Sequence, residues 1–423
     1  MSSYIINGGN KLKGTIPVSG SKNAALGIVA AACVLDGPCV IENLPAISDV
    51  KIQAALAEYI GATVEYRDDG SIYFDPTTIN TAVVDDTRAS DIRASYYLFG
   101  ALLARFGKVK SYLPGGCDLG TRPIDLHIKG FNSMGASSKL EHGFIELEAK
   151  DGLHGEHIFL DKVSVGATIN IMIAASKAKG RTTIENAARE PHVVDTANFL
   201  NAMGADIKGA GTDVIRIEGK ERLEGNNSYA IIPDQIEAGT YMIAGAITRG
   251  DVTVTNLIPK HMEPLTAKLE EMDLNIEVHE DSIRVSVDED KDLKATSVRT
   301  MVYPGFPTDL QPQTVALMTQ LNGLSRMYEE VWDNRFQYIT DLKKMGADIR
   351  VEGSVAFVNG PSKLSGAKVE ARDLRAGAAM VLAALAAYGQ TEVYNIESLE
   401  RGYEKLVSKL RAVGADISLK EPK

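Results

Sequence analysis

GRTTIENAAREP (180–191) reads as a turn glycine, a short strand and a stop, and it has counterparts along the whole chain. They are GPCVIENLP from Gly37, GKVKSYLPGG from Gly107, GDVTVTNLIPKH from Gly250, GLSRMYEEVWDNRF from Gly323 and GQTEVYNIESLERG from Gly389. A recurrence every ~70 residues marks one supersecondary unit used six times. Downstream of the copies lie KIQAALAEYIGATVEY (51–66), VVDTANFLNAMGADIKG (193–209), FQYITDLKKMGADIRV (336–351) and YEKLVSKLRAVGADISL (403–419). Their apolar residues recur at helical spacing up to a glycine-alanine turn, after which the pattern alternates as in a strand.

A second helix precedes each marker glycine: 22–37, 91–107, 165–180, 237–250, 310–323 and 374–389. Segments such as KNAALGIVAAACVLDG and LRAGAAMVLAALAAYG are apolar on nearly every side, which predicts burial at a domain centre. Each unit therefore combines a buried helix, a surface helix and several strands. Six units make two domains of three, an α/β architecture with mixed sheets.

Composition narrows the function. The chain has 423 residues, 44% of them hydrophobic and 24% charged, as in a globular protein of two or more domains. No apolar run reaches the ~18 residues that cross a bilayer, and Ala24–Leu35 lacks a signal-type cleavage site, so neither membrane insertion nor export is expected. Three cysteines (Cys33, Cys39, Cys117) make no disulfide framework and fit a reducing cytoplasm. No histidine falls in a metal-ligand spacing. A net charge of −11 argues against nucleic acid and anionic membrane as partners. An anionic substrate would need a local concentration of cations. At the starts of the buried helices stand Lys22 and Asn23, Arg93, Ser164 and Gly166, Asp234 and Glu237, Asp309, and Arg375, with Lys22, Arg93 and Arg375 as the cations. Helix N-termini suit phosphate and carboxylate groups.

SGSKNAAL (19–26), PGGCDLGTRPIDLHIKG (114–130), VSVGATIN (163–170), GFPTDLQPQ (305–313), DNRF (333–336), DLRAGAA (373–379) and ERGYEKL (400–406) resemble the UDP-N-acetylglucosamine 1-carboxyvinyltransferases, the MurA type of enolpyruvyl transferase. The resemblance runs in order from Ile6 to about Leu419. It implies a two-domain inside-out α/β barrel of six βαβαββ-like repeats, with 22–232 as one domain, 1–21 and 233–423 as the other, and an active site in the cleft between them. It further implies transfer of the enolpyruvyl group of phosphoenolpyruvate to the 3-hydroxyl of UDP-N-acetylglucosamine, with release of phosphate. That reaction is the first committed step of peptidoglycan precursor synthesis, hence of cell-wall biogenesis, cell shape and division, in the cytoplasm. No metal or organic cofactor is called for, since phosphate is itself the leaving group.

By the same resemblance, Cys117 is the acid that protonates the vinyl carbon of phosphoenolpyruvate and the site of a covalent adduct. Its loop carries Gly115, Gly116 and Gly120, which ease the reshaping of a lid. A thiol near arginines can supply the proton. Lys22 matches a phosphate-binding lysine and Asn23 a substrate contact. Arg122 and Arg401 match the grip on phosphoenolpyruvate, and Arg93 the neighbourhood of the diphosphate. Arg375 and Arg335 bind substrate or report domain closure. Guanidinium groups suit a ligand with both phosphate and carboxylate. Asp309 is the base for the sugar hydroxyl or the group that orients it, with a plain helix cap as the other reading. Arg122, Pro123, Ile124, Asp125 and Leu126, with Lys162, Ser164, Val165 and Gly166, match uridine and diphosphate contacts, and Val331 a contact to the nucleotide sugar. Asp125 and Ser164 also read as caps, and DNRF as a structural ion-pair turn.

Two departures stand out. Gln235 occupies a place where the family often has arginine. The loop reads CDLGT rather than CAIGA, as in a second Gram-positive paralogue, and a carboxylate at Asp118 would raise the thiol pKa. Three rivals remain at this level. They are an EPSP synthase-like transfer to another acceptor, a non-catalytic nucleotide-sugar-binding regulator, and an RNA-cyclase-like activity. PGGC…RPIDL argues against the first, and retention of Lys22, Cys117, Asp309 and Arg401 against the second. The family's fosfomycin sensitivity suggests an epoxide that alkylates Cys117.

Overall fold

A computed structural model describes residues 2–115 and 124–421. The chain divides into two compact units, one of residues 1–19 with 233–423 and one of residues 20–232.

The six marker segments form Cys39–Glu42, Lys108–Tyr112, Arg181–Glu185, Asp251–Thr255, Gly323–Tyr328 and Gln390–Tyr394. Each is an inner strand of its own four-stranded sheet. Every sheet repeats one pattern: an outer strand parallel to the marker, then the marker, then two strands antiparallel in succession. In the third repeat these are His157–Phe159, Arg181–Glu185, Val214–Glu218 and Asp206–Lys208. Buried faces alternate with exposed ones along the marker strands, so each sheet covers a core on one side only.

The core is helical. Lys22–Ala32, Tyr97–Phe106 and Val165–Ala175 are enclosed in one unit, and Gln235–Ile247, Gln311–Met318 and Leu374–Ala386 in the other. Tyr97–Phe106 packs on both of its companions, while in the second unit all three helices touch one another. Alanine and glycine let the backbones approach. Gly100 lies so close to Asn170 that an added Cβ would meet its backbone oxygen at 2.4 Å. Helices inside and sheets outside is the arrangement that all-round apolar helices dictate.

The parallel outer strand precedes its buried helix in sequence in four sheets; in the other two the strands are exchanged. Lys13–Pro17 leads into the helix Lys22–Ala32 but pairs with Asp251–Thr255. Ser228–Ala230 leads into Gln235–Ile247 but pairs with Cys39–Glu42. Ser3–Asn7 lies between Gln390–Tyr394 and Asp416–Lys420, closing the last sheet with the first strand of the chain.

Several elements differ from the sequence expectation. The helix expected across 91–107 begins as a 3-10 turn, Arg93–Tyr96, before the regular helix. The surface helices expected in 336–351 and 403–419 shrink to Ile339–Lys344 and Leu406–Ala412, the latter entered through Lys405 at φ 53°. Asp125–Ser133 forms a helix that the apolar spacing did not announce.

Candidate functional site

In the unit of residues 20–232, Lys22 is the first residue of its helix, capped by Ser21, whose hydroxyl accepts from Ala24 N. A lysine at the positive end of a helix dipole calls for an anion, and the structure supplies one internally. Lys22 Nζ lies 2.8 Å from Asp49 Oδ2. Asp49 stands in the first turn of Ser48–Tyr59, where a helix N-terminus favours a carboxylate. Asn23 follows on the same turn, partly buried.

Arg93 opens its 3-10 turn with the guanidinium 5.6 Å from the centre of the Tyr96 ring, a cation–π geometry. Tyr96 stacks on His127 with ring centres 4.5 Å apart. His127 lies one residue beyond Leu126, and its Nδ1 is 3.0 Å from Asn170 Nδ2. Burial, helped by the Arg93 charge, lowers the His127 imidazole to about 3. The neutral ring therefore accepts at Nδ1 from the Asn170 amide and carries its proton on Nε2. Asn170 also donates to Tyr96 O at 2.7 Å and accepts from Gly100 N at 2.8 Å. One buried amide thus joins the elements bearing Arg93, Asp125–Leu126 and Ser164–Gly166. Gly166 is required at its place, since a Cβ there would lie 2.6 Å from Tyr96 Oη and 3.0 Å from the His127 ring. Ser164 does cap Val165–Ala175, accepting from Ala167 N at 3.3 Å. Val165 is partly buried and Lys162 exposed, while Ile124 and Asp125 begin their helix without a side-chain cap. Cys117, Asp118, Arg122 and Pro123 lie outside the described residues.

In the other unit, Asp309 lies in the 3-10 turn Thr308–Leu310, and the helix that follows has no side-chain cap. The plain cap reading therefore fails. Its carboxylate is held by two arginines: Oδ1 accepts from Arg335 Nη2 at 3.3 Å, and Oδ2 from Arg375 Nε and Nη2 at 3.2 and 3.1 Å. Both guanidiniums are enclosed, at 3% and 4% exposure. Burial alone would lower Arg375, but the charge of Asp309, with Tyr403 and Asp234 behind it, turns the net direction upward. Arg335 Nε and Arg375 Nη1 are buried with no hydrogen-bond partner. DNRF is thus an ion-pair turn whose partner is Asp309.

Gln313 ties this turn to the core, donating to Asp309 O at 3.0 Å and to Thr240 Oγ1 and Tyr403 Oη at 3.2 Å each. Val331 follows closely on the strand Gly323–Tyr328, with its N–H bound to Glu329. Arg401, partly buried, sits in the turn after Ile396–Ser398. Asp234 caps Gln235–Ile247, and Gln235 is its first residue. Glu237 is committed to structure: it accepts from Lys409 Nζ and from Ser19 N, each at 2.7 Å.

Sequence reasoning missed Asp49, His127, Asn170 and Glu329 as organisers of these groups. His127, Asn170 and Glu329 lie inside quoted segments and Asp49 just before one, but no local pattern tells a buried polar partner from a surface one.

The fold is that of an enolpyruvyl transferase. The chain belongs to the EPSP synthase (3-phosphoshikimate 1-carboxyvinyltransferase) family, whose signature matches residues 6–410. Among its relatives is the UDP-N-acetylglucosamine 1-carboxyvinyltransferase of Halothermothrix orenii, 52% identical over 99% of both chains. The UDP-N-acetylglucosamine 1-carboxyvinyltransferase 2 of Geobacillus kaustophilus is 53% identical over 99% of this chain and 96% of its own. Among solved structures, the enolpyruvyl transferase NikO from Streptomyces tendae superposes with a TM-score of 0.90 at 28% identity, covering 100% and 99% of the two chains. EPSP synthase from Acinetobacter baumannii shares the fold, with a TM-score of 0.76 at 18% identity over the whole of both chains.

Proposed function

We propose that the chain transfers the enolpyruvyl group of phosphoenolpyruvate to the 3-hydroxyl of UDP-N-acetylglucosamine and releases phosphate. The observation that carries this reading is the near-complete alignment, at 52% identity, with a UDP-N-acetylglucosamine 1-carboxyvinyltransferase. The motifs PGGC…RPIDL and GFPTDLQPQ lie inside the aligned span and support it further.

In this reading the sugar hydroxyl adds to C2 of phosphoenolpyruvate while the Cys117 thiol protonates C3. Asp309 receives the hydroxyl proton or orients the hydroxyl for attack. The resulting tetrahedral adduct returns a proton from its new methyl group to the Cys117 thiolate as the carbon–oxygen bond to phosphate breaks, restoring the vinyl group and the thiol. Lys22, Arg122 and Arg401 offset charge on the phosphoenolpyruvate end. Arg335 and Arg375 fix the Asp309 carboxylate, so its orientation is set before substrate arrives. Asn23, Arg93, the segment Arg122–Leu126, Lys162, the segment Ser164–Gly166 and Val331 hold the nucleotide sugar. The setting is the cytoplasm, and the product enters peptidoglycan synthesis.

The test is phosphate release from phosphoenolpyruvate with UDP-N-acetylglucosamine or with shikimate 3-phosphate as acceptor. Release only with the nucleotide sugar is expected, and no release with it overturns the reading. Cys117→Ala should be inactive and Cys117→Asp active yet indifferent to fosfomycin. Full activity of Cys117→Ala removes the thiol from the acid role.

A further inference from the structure

Glu329 directly follows the marker strand of its repeat, Gly323–Tyr328, and is almost wholly enclosed, at 3% exposure. Four hydrogen bonds arrive there from three separate stretches of chain. Oε1 accepts from Thr300 Oγ1 at 2.8 Å, Val331 N at 2.9 Å and Trp332 N at 3.1 Å. Oε2 accepts from Thr308 Oγ1 at 2.9 Å. Thr300 is satisfied in turn, its oxygen accepting from Glu330 N at 3.0 Å.

One half of the carboxylate thus shapes the turn that presents Val331, and the other holds the residue just before Asp309. Thr308 is braced a second time, its carbonyl lying 3.4 Å from Arg335 Nη2. Asp309 itself is gripped by the arginines, but the backbone that carries it is tied to Glu329. A rigid buried acceptor common to two turns fixes their spacing, because a shift of either turn breaks its own hydrogen bonds and strands a buried polar group.

We propose that Glu329 is a positioning residue that sets Asp309 and the Val331 turn at one separation, matched to the acceptor sugar and its hydroxyl. This rests on the reading that Asp309 and Val331 meet UDP-N-acetylglucosamine. The role belongs to hydrogen-bond geometry rather than to charge, and a glutamine satisfies that geometry. Its carbonyl oxygen takes the three donors on one side, and its amide donates to Thr308 Oγ1 on the other.

The experiment compares Glu329→Gln and Glu329→Leu by steady-state phosphate release with each substrate varied. Glu329→Leu should raise KM for UDP-N-acetylglucosamine at least ~tenfold and lower kcat by a similar factor, with KM for phosphoenolpyruvate within ~twofold. Glu329→Gln should stay within ~threefold of wild type on every constant. Equal increases in both KM values, a glutamine variant as impaired as the leucine one, or an unimpaired leucine variant each overturn the proposal. Should Glu329→Leu fail to fold, Thr308→Val removes one donor and should raise acceptor KM by ~threefold; no change overturns the proposal.

Trp332, the single tryptophan of the chain, supplies a readout that needs no turnover. Its emission without substrate should differ from wild type in Glu329→Leu and match it in Glu329→Gln, and identical spectra in all three refute the positioning claim. Should Glu329→Leu differ from the wild type in emission while the wild type releases no phosphate, the result counts against the proposed function, not against the role of Glu329.

Discussion

Lys22 Nζ and Asp49 Oδ2 lie 2.8 Å apart, with only 13% and 6% of the two side chains exposed. The pair joins the starts of two helices, so the ammonium sits at one helix N-terminus while its counter-ion occupies another. An ammonium has three donors, and a phosphate oxygen can share it with Asp49. Under the proposed function Asp49 orients the lysine toward the phosphate rather than competing for it. Removing one member of a buried pair costs about 3 kcal/mol of stability, because the other charge loses its compensation. Asp49→Ala should also raise KM for phosphoenolpyruvate by ~tenfold, with KM for the nucleotide sugar nearly unchanged. Initial rates of phosphate release at varied phosphoenolpyruvate decide it; an unaltered KM means that Asp49 serves stability alone.

Cys33 and Cys39 are both buried, and burial pushes each thiol up to about 12. For Cys33 the nearby Arg105 pulls the other way without reversing the direction. At pH 8 about one in ten thousand of such thiols is ionised, and the thiolate is the nucleophile. Thiol-specific labelling of the native chain should therefore modify Cys117 alone of the three cysteines, and all three after denaturation. Mass mapping of the labelled peptides checks this. Label at Cys33 or Cys39 in the native chain would contradict the enclosed core around the first buried helix.

Two buried groups in the unit of residues 20–232 oppose each other in their response to pH. Burial raises the Asp195 carboxyl to about 6, against the pull of its hydrogen bonds from Tyr229 and Ile232. The folded chain keeps that proton after the unfolded chain has lost it, so this contribution to stability declines as pH rises from about 4 to about 6. His127, lowered to about 3, does the reverse: the unfolded chain takes a proton below about 6.5 that the folded chain refuses, and stability is lost as pH falls. Asp195→Asn removes the first slope. Its amide oxygen can accept from Ile232 N while the amide donates to Tyr229 Oη, which has Asp195 O at 3.2 Å as its own acceptor. The variant should gain about 2 kcal/mol on wild type between pH 4 and pH 6, read as urea midpoints. Parallel curves for the two proteins would place the Asp195 titration outside that window.

The repeat was legible because it is local: a positive-φ glycine before a strand, as at Gly107, Gly180, Gly323 and Gly389, leaves a mark in the sequence that needs no partner. The buried helices were legible for the same reason, since Val165–Ala175 is apolar whichever way it is turned. What no segment shows by itself depends on distant partners, and the place of 1–21 with 233–423 came from the family resemblance alone. The exchange of Lys13–Pro17 and Ser228–Ala230 is set by pairing with strands some 200 residues away, and nothing within either strand records it. The site divides likewise. Asp309 and Arg375 announce themselves at helix starts, but the carboxylate that holds Thr308, the residue before Asp309, is one of two adjacent glutamates, Glu329 and Glu330. The first is enclosed by four donors and the second pairs with Arg299 at the surface. A sequence in which both are written EE cannot tell them apart.

Gly166 offers the sharpest test of the cluster around His127. It lies in the first turn of Val165–Ala175, and a Cβ there would meet Tyr96 Oη at 2.6 Å and the His127 ring at 3.0 Å. Tyr96 cannot yield freely, because its ring is stacked on His127 and carries Arg93 on one side. Nor can His127 turn away without giving up its hydrogen bond with Asn170. Gly166→Ala should therefore displace Arg93 and the Asp125–Leu126 segment together. The expected result is a rise of at least ~tenfold in KM for UDP-N-acetylglucosamine, with KM for phosphoenolpyruvate within ~twofold. Adding Tyr96→Phe deletes the hydroxyl that the new methyl group strikes and should recover part of the loss, which a general destabilisation by alanine would not allow. If the double variant is no better than Gly166→Ala, the clash at Tyr96 is not what ties this helix start to nucleotide-sugar binding.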